Sequence, residues 1–153
     1  MIADDVYRSR LQATIAALRY WVPTIADAAH VEQTDGHQAW KMAVRPVQSA
    51  ACPFELMLRS DQHYDISVAG ETFEDRPVGT LDIFVPLVEA IASGSVIQRR
   101  TESTATGAPL SVETRVTLAD GSIWSERRDL PLGALISDCT TTVRDRHFIP
   151  YRR

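Results

Sequence analysis

The sequence lacks the short motifs that define most enzyme classes. Its two cysteines, Cys52 and Cys139, form neither a metal-binding spacing nor a disulfide framework. It contains no glycine-rich phosphate loop, no nucleophile elbow and no zinc-ligand spacing. Lys41 is its only lysine, an imbalance that we attribute to the base composition of the source genome. We therefore expect no cofactor and no bound metal, and catalysis is not the favoured interpretation.

Long apolar runs are also missing, and this bounds the expected location. No run approaches the roughly 18 consecutive apolar residues that span a membrane as a helix. Residues 1–22 carry two acids early and arginines throughout, unlike the charged-then-apolar pattern of a secretory signal. We expect a cytoplasmic protein of bacterial type, with reduced thiols and no contact with a membrane.

The length and charge of the chain point to one ordinary globular unit. At 153 residues, with 44% apolar and 24% charged residues, the chain is long enough to bury a single core. We predict one α+β domain over residues 1–153, with an irregular, mobile tail over residues 130–153, where periodicity is weak. The net charge of −4 gives no overall basic footprint, so we do not expect a nucleic-acid partner.

Two amphipathic segments predict helices. Residues 4–22 carry an apolar stripe at alternating spacings of four and three, and Pro23 ends that pattern. Residues 80–94 carry a second stripe, with Pro86 tolerated in the first turn and Gly94 as the terminating residue. Ile83 and Val85 are apolar but lie off this stripe. If they are not covered within the chain, they mark the contact with a second subunit, and we predict a homodimer.

Alternating apolar and polar residues predict strands on both sides of the central helix. The Asp35-Gly36 pair is typical of a tight hairpin turn. The alternation runs over residues 40–45, 54–59 and 64–69 before the helix, and over residues 96–104, 110–118 and 123–128 after it. We predict an α+β fold in which the N-terminal and central helices pack on one curved, mainly antiparallel sheet of about six to seven strands.

The predicted order of elements is helix, antiparallel strands, helix, antiparallel strands. Over most of the chain, this order resembles that of the small dimeric chaperones of bacterial type III secretion. It is also similar to cone-shaped folds of the nuclear-transport-factor type. The likeness rests on element order alone. The chaperone resemblance implies a dimer that binds a segment of another protein.

One polar run, residues 61–65, is a candidate for chemistry. If a strand begins by Asp61, its period of two places Asp61, His63 and Asp65 on one face. Two carboxylates and an imidazole can hold a divalent metal, or a carboxylate can orient His63 as a general base. A turn at residues 60–63 with solvated side chains explains the same residues equally simply. A small hydrolase or isomerase using these three residues is therefore the alternative hypothesis.

The favoured hypothesis is a binding protein without catalysis. No sequence pattern places a histidine beside either cysteine, so we expect inert thiols. Trp40, Met42 and Phe73 are candidates for lining a binding surface, although each also suits a core position. We predict an adaptor-like or chaperone-like module that binds a protein segment or a small apolar ligand.

Overall fold

Two helices and nine strands make up the part of the chain that the computed structural model describes, residues 2–131 and 140–152. In chain order they are α1 (Asp4–Trp21), β1 (Ala29–Asp35), β2 (Ala39–Pro46), β3 (Phe54–Arg59), β4 (His63–Val68), β5 (Glu71–Pro77), α2 (Phe84–Ala92), β6 (Val96–Ser103), β7 (Pro109–Thr117), β8 (Ile123–Asp129) and β9 (Thr141–His147). Short 3₁₀ turns at Val22–Ile25 and Leu81–Ile83 follow α1 and precede α2. Neither described helix has the length and apolarity needed to cross a membrane.

The strands form two antiparallel sheets. Strands β1 to β5 are neighbours in sequence order in a five-stranded sheet, and the second sheet has the order β8-β7-β6-β9. The predicted α+β class with two helices and antiparallel strands is confirmed, but the single sheet of about six to seven strands is wrong. Alternation reports which face of a strand is buried and carries no information on its partner strand. The break between the sheets falls at α2, where the chain leaves β5 and begins β6.

Helix α1 packs on the five-stranded sheet through its predicted apolar stripe. Tyr7, Leu11, Ile15 and Leu18 of that stripe are buried, and Trp21 is buried in place of the predicted Val22, which is half-buried. The ring of Trp21 lies 6.4 Å from that of Phe54 on β3. The helix ends at Trp21, one residue earlier than predicted, because Pro23 takes the N-terminal end of the following 3₁₀ turn.

Helix α2 connects the cores of the two sheets. It begins at Phe84, after a 3₁₀ turn in which the Thr80 hydroxyl accepts a hydrogen bond from the Asp82 amide at 3.2 Å. This start places Pro86 in the first helical turn, where no N–H is needed. The Phe84 ring meets Tyr64 of β4 edge to face at 5.0 Å, and other parts of α2 contact β7. One hydrophobic core therefore includes residues from both sheets.

Polar contacts also join the sheets. The Trp124 indole N–H donates to the Tyr64 hydroxyl at 3.2 Å, and the Gln98 amide donates to the Val68 carbonyl at 3.1 Å. The Glu71 carboxylate accepts two hydrogen bonds from Arg128, at 2.7 and 3.1 Å. These bonds fix how the two sheets face each other.

The C-terminal segment is more regular than the weak periodicity of residues 130–153 indicated. Strand β9 pairs with β6 along its whole length, yet all seven of its residues are exposed, so it carries no apolar alternation to read. Residues 132–139, the middle of the predicted tail, lie outside the described residues. Beyond β9 the chain docks on the body of the protein: the Tyr151 hydroxyl donates to the Cys52 carbonyl at 2.6 Å, and the Ile149 amide donates to the Ala50 carbonyl at 3.1 Å.

Candidate functional site

The three polar residues singled out from sequence lie at the turn between β3 and β4. Strand β4 begins at His63, so Asp61 belongs to the turn and not to the strand. His63 and Asp65 lie on the face of β4 opposite the buried Tyr64 and Ile66. Strand alternation therefore brings only two of the three together. The third, Asp61, contacts His63 directly within the turn and is joined to Asp65 through a residue that the sequence did not single out, Arg59.

The guanidinium of Arg59 lies among three carboxylates. Its Nη2 is 2.5 Å from Asp61 Oδ2, and its Nη1 is 3.4 Å from Asp65 Oδ1 and 3.1 Å from Asp75 Oδ1. Asp75 reaches this position because the register between β4 and β5 shifts opposite Asp65, with Asp75 at a φ of 57°. The Asp75 amide donates to Asp65 Oδ1 at 2.6 Å, which closes the cluster. We call these four residues the Arg59 network.

The electrostatics of the Arg59 network favour structure over catalysis. The hydrogen bond from Arg59 holds the pKa of Asp61 below its usual range, so this carboxylate stays ionised and is a poor general acid. The Nδ1 of His63 lies 2.9 Å from the Asp61 carbonyl oxygen, which can only accept, so Nδ1 carries the proton. Within residues 2–131 and 140–152, no three His, Cys, Asp or Glu side chains are arranged to hold a metal ion.

The same turn is fastened to α1 and to the residues before it. The Tyr7 hydroxyl donates to the Arg59 carbonyl at 2.7 Å, and burial, with a smaller effect of Asp61, raises the pKa of Tyr7 to about 12. Gln62, buried and at a φ of 65°, pairs its side-chain amide with both backbone polar groups of Ile2. The turn therefore fixes the backbone of Ile2, just before α1, through two hydrogen bonds from one side chain.

An open groove of about 550 Å³ runs between α1 and the start of α2. We call it the apolar groove. Its walls include Arg10, Ala13 and Ala17 of α1 on one side and Leu81, Asp82 and Val85 on the other. Ile2 and Gln62 close one end. Val85, predicted to be available to a second subunit, is half-buried and contributes its side chain to this groove.

Two charged side chains of the apolar groove have no ion-pair partner in the described part of the chain. Among the described residues, neither Arg10 nor Asp82 is within ion-pair distance of an opposite charge, and both are exposed. The remaining wall mixes small and aliphatic side chains, for which we name the groove, with the polar side chains of Tyr7, Thr14, Gln62 and Thr80. The groove thus combines apolar and polar surface with one positive and one negative group, so it can offer both aliphatic contact and hydrogen bonds to an organic ligand.

A second cleft, of about 500 Å³, lies on the other side of α1. We call it the Trp40 cleft. It is lined by Arg8, Leu11 and Ile15 of α1, by the turn between β1 and β2, and by Trp40, Leu58 and Ser60. His37, in the hairpin turn at Asp35-Gly36, also reaches it. Both clefts touch the β3–β4 turn, which contributes Ser60 to one and Gln62 to the other.

The other residues proposed from sequence lie mostly in the core. Met42 is 0% exposed, and Phe73 is 2% exposed with its ring 6.2 Å from that of Trp124. Of the three candidates for a binding surface, Trp40 alone lines one of the clefts described here. Cys52 is fully buried, and burial raises the pKa of its thiol to about 12, as an inert thiol requires. Cys139 lies outside the described residues.

Comparison with protein-family models, with curated proteins and with solved structures finds no match to this chain. Any functional assignment must therefore come from the groove, the cleft and the Arg59 network themselves.

Proposed function

We propose that this protein is a small binding module without catalytic activity, and that its ligand site is the apolar groove between α1 and α2. The observation that carries the proposal is the groove itself: about 550 Å³ of open space beside the core, bounded by two helices. This volume lies within the range of roughly 300–1,000 Å³ that is usual for small-molecule sites.

The lining indicates the class of ligand. Ala13, Ala17 and Val85 offer an apolar surface, and Arg10 provides an exposed positive charge. We infer that the ligand is a small organic molecule with an apolar body, an acidic group for Arg10 and a hydrogen-bond donor for Asp82, because such a molecule uses the aliphatic surface and both charges. An apolar side chain of a protein segment fits the groove less fully, because it uses the aliphatic surface and neither charged group.

A fluorescent dye with these properties tests the proposal. We expect anilinonaphthalene sulfonate to bind the folded protein at one saturable site. Ala17→Phe places an aromatic ring in the groove and should weaken dye binding at least about tenfold. Ala16→Phe is the matched control, because Ala16 is the neighbouring exposed alanine of α1 and lines neither cleft. Equal binding by both variants would contradict the proposal.

The predicted homodimer is a separate proposal about the same surface. Val85 and the exposed Tyr20 of α1 are available to a second copy, whereas Leu87 is fully buried within the chain. Val85→Asp should therefore chiefly separate subunits, and Leu87→Asp should unfold the protein because it buries a charge. Sedimentation equilibrium and circular dichroism distinguish these results. Equal unfolding by both substitutions would show that α2 serves the core alone.

The alternative of a hydrolase or isomerase using Asp61, His63 and Asp65 has less support. These side chains are engaged in the Arg59 network or with backbone groups, and none of the clefts described above is lined by them. A cytoplasmic location, expected from the composition of the chain, also stays a prediction.

A further inference from the structure

A line of arginines crosses one face of the four-stranded sheet. Arg100 of β6 lies directly opposite Arg144 of β9 and, on its other side, opposite Val112 of β7, whose own partner on β8 is Arg128. Directly opposed residues of neighbouring strands share a face of the sheet. Arg128 hydrogen-bonds Glu71, so this face is the one turned toward the five-stranded sheet. Like charges directly opposite each other destabilise a sheet, so the pairing of Arg100 with Arg144 calls for nearby negative charge.

Negative charge is scarce beside this pair. Arg128 is neutralised by Glu71, whereas Arg100 and Arg144 share the single carboxylate of Glu102. The Glu102 Oε1 atom lies 3.2 Å from Arg100 Nε, and its Oε2 atom lies 3.4 Å from Arg144 Nε. Among the described residues, no second carboxylate lies within ion-pair distance of either arginine. The two arginine side chains are 50% and 75% exposed, so their guanidiniums are accessible to a ligand.

Arg146 adds a third positive charge. It lies on the same face of β9 as Arg144, two residues further along, and opposite the buried Gln98. Its guanidinium carbon lies 4.6 Å from the centre of the Phe148 ring, and no carboxylate of the described chain is within ion-pair distance of it. Stacking on a ring uses a face of the guanidinium and leaves the N–H groups along its edge available. We call Arg100, Arg144 and Arg146 the arginine surface; with the one carboxylate they share, its net charge is +2.

We propose that the arginine surface binds the phosphate group of a small phosphomonoester. Such a group carries a charge of about −1.5 to −2 at pH 7, which matches the net charge of the surface. Its terminal oxygens can each accept hydrogen bonds from a guanidinium. A nucleic-acid strand fits less well, because the Phe148 ring is buried and cannot stack a base, and because the whole chain has a net charge of −4. The proposed function of the apolar groove uses none of these residues.

Phenyl phosphate is a suitable probe, and the backbone amide signals of a proton–nitrogen correlation spectrum are the readout. We expect phenyl phosphate to produce saturable shifts that concentrate on β6 and β9. Benzenesulfonate, which has the same ring and a single negative charge, should bind at least about threefold more weakly. Inorganic phosphate should compete with phenyl phosphate, because it supplies the same anionic group. Displacement of phenyl phosphate by oligothymidylate would overturn the proposal in favour of a nucleic-acid surface.

Two exposed arginines on the edge strands of the four-stranded sheet provide a matched pair of variants. Arg144→Gln should weaken binding of phenyl phosphate at least about threefold, whereas Arg127→Gln, on the opposite face of the sheet, should leave it unchanged. Glu102→Gln should strengthen binding, because it removes the negative charge within the arginine surface.

Four results would overturn the proposal. They are an absence of shifts on β6 and β9, equal binding of benzenesulfonate, equal behaviour of the two arginine variants, and weaker binding by Glu102→Gln than by wild type. None of these results depends on dye binding in the apolar groove, so the two proposals fail independently.

Discussion

The side-chain amide of Gln62 pairs with both backbone polar groups of Ile2. Its Nε2 donates to the Ile2 carbonyl at 2.8 Å, and its Oε1 accepts from the Ile2 amide at 3.2 Å. Gln62 adopts a left-handed backbone conformation to make this pair, and it lies between the Arg59 network and the apolar groove. One turn therefore organises the N-terminal segment, an ion-pair cluster and one end of the proposed ligand site.

The Gln62 turn predicts that wild type is the most stable form, Gln62→Gly the next and Gln62→Ala the least. Gln62→Ala removes the pair with Ile2 and keeps the strained φ, so it should lower the free energy of unfolding by about 1–3 kcal/mol. Gln62→Gly removes the same pair but relaxes the left-handed backbone, so it should be about 1 kcal/mol more stable than the alanine variant. Urea denaturation measures both values. An alanine variant as stable as the glycine variant would contradict the left-handed assignment.

Gly94 predicts a large cost for one added methyl group. Its φ is 84°, and a Cβ there would lie 2.7 Å from the Pro150 amide nitrogen. Gly94→Ala should cost about 3 kcal/mol or more, from backbone strain and from displacing the docked C-terminal segment. Gly121→Ala is the control, because φ is 87° there and nothing lies within 4 Å of the added carbon. It should cost only about 1 kcal/mol in the same urea experiment.

The Arg59 network predicts a pH-dependent contribution to stability. A hydrogen bond from Arg59 lowers the pKa of Asp61 in the folded state, so the network stabilises the protein at neutral pH. This contribution is lost as pH falls through the lowered pKa. The difference in urea midpoint between wild type and Arg59→Gln should therefore be largest near pH 7 and shrink below about pH 4. Arg127→Gln, which removes an exposed pair with Asp129, should show little change at either pH. A difference in urea midpoint between wild type and Arg59→Gln that grows as the pH falls would contradict the stabilising role of the Arg59 network.

The burial of Cys52 predicts that its thiol is alkylated slowly in the folded protein. It is fully buried, and burial raises the pKa of its thiol to about 12, so little thiolate is present or accessible at pH 8. In a Cys139→Ser background, iodoacetamide should label Cys52 only at the rate at which the protein unfolds. Mass spectrometry across a series of urea concentrations measures that rate. Labelling in the absence of urea that is as fast as in the unfolded protein would contradict the buried position.

Local alternation predicted the faces of β2, β3 and β4 correctly, because a period of two determines which side chains share a face wherever a strand lies. Trp40, Met42 and Val44 are buried on one face of β2, and Tyr64, Ile66 and Val68 are buried on one face of β4. The division into two sheets was beyond such reasoning, because alternation does not report whether β5 pairs with β6 across α2. Strand β9 was missed because all its side chains are exposed.

The site was predictable only where it rests on a strand face. Arg59 and Asp65 lie on the outer faces of neighbouring strands, so their pairing follows once β3 and β4 form a hairpin. Asp75 joins them only because the register between β4 and β5 shifts. The contact of Gln62 with Ile2 requires a positive φ, and a glutamine in a sequence does not indicate one. The apolar groove lies between two helices that are distant in the chain, so no local pattern reports it.

The most direct test of the proposed binding function is a titration with anilinonaphthalene sulfonate, followed by backbone amide shifts. If the apolar groove is the ligand site, the shifts should be saturable and concentrate at residues 10–17 of α1 and at residues 78–85. The Ala17→Phe variant should lose them, and Ala16→Phe should keep them. Saturable shifts centred on another surface, or none in the folded protein, would contradict the proposal.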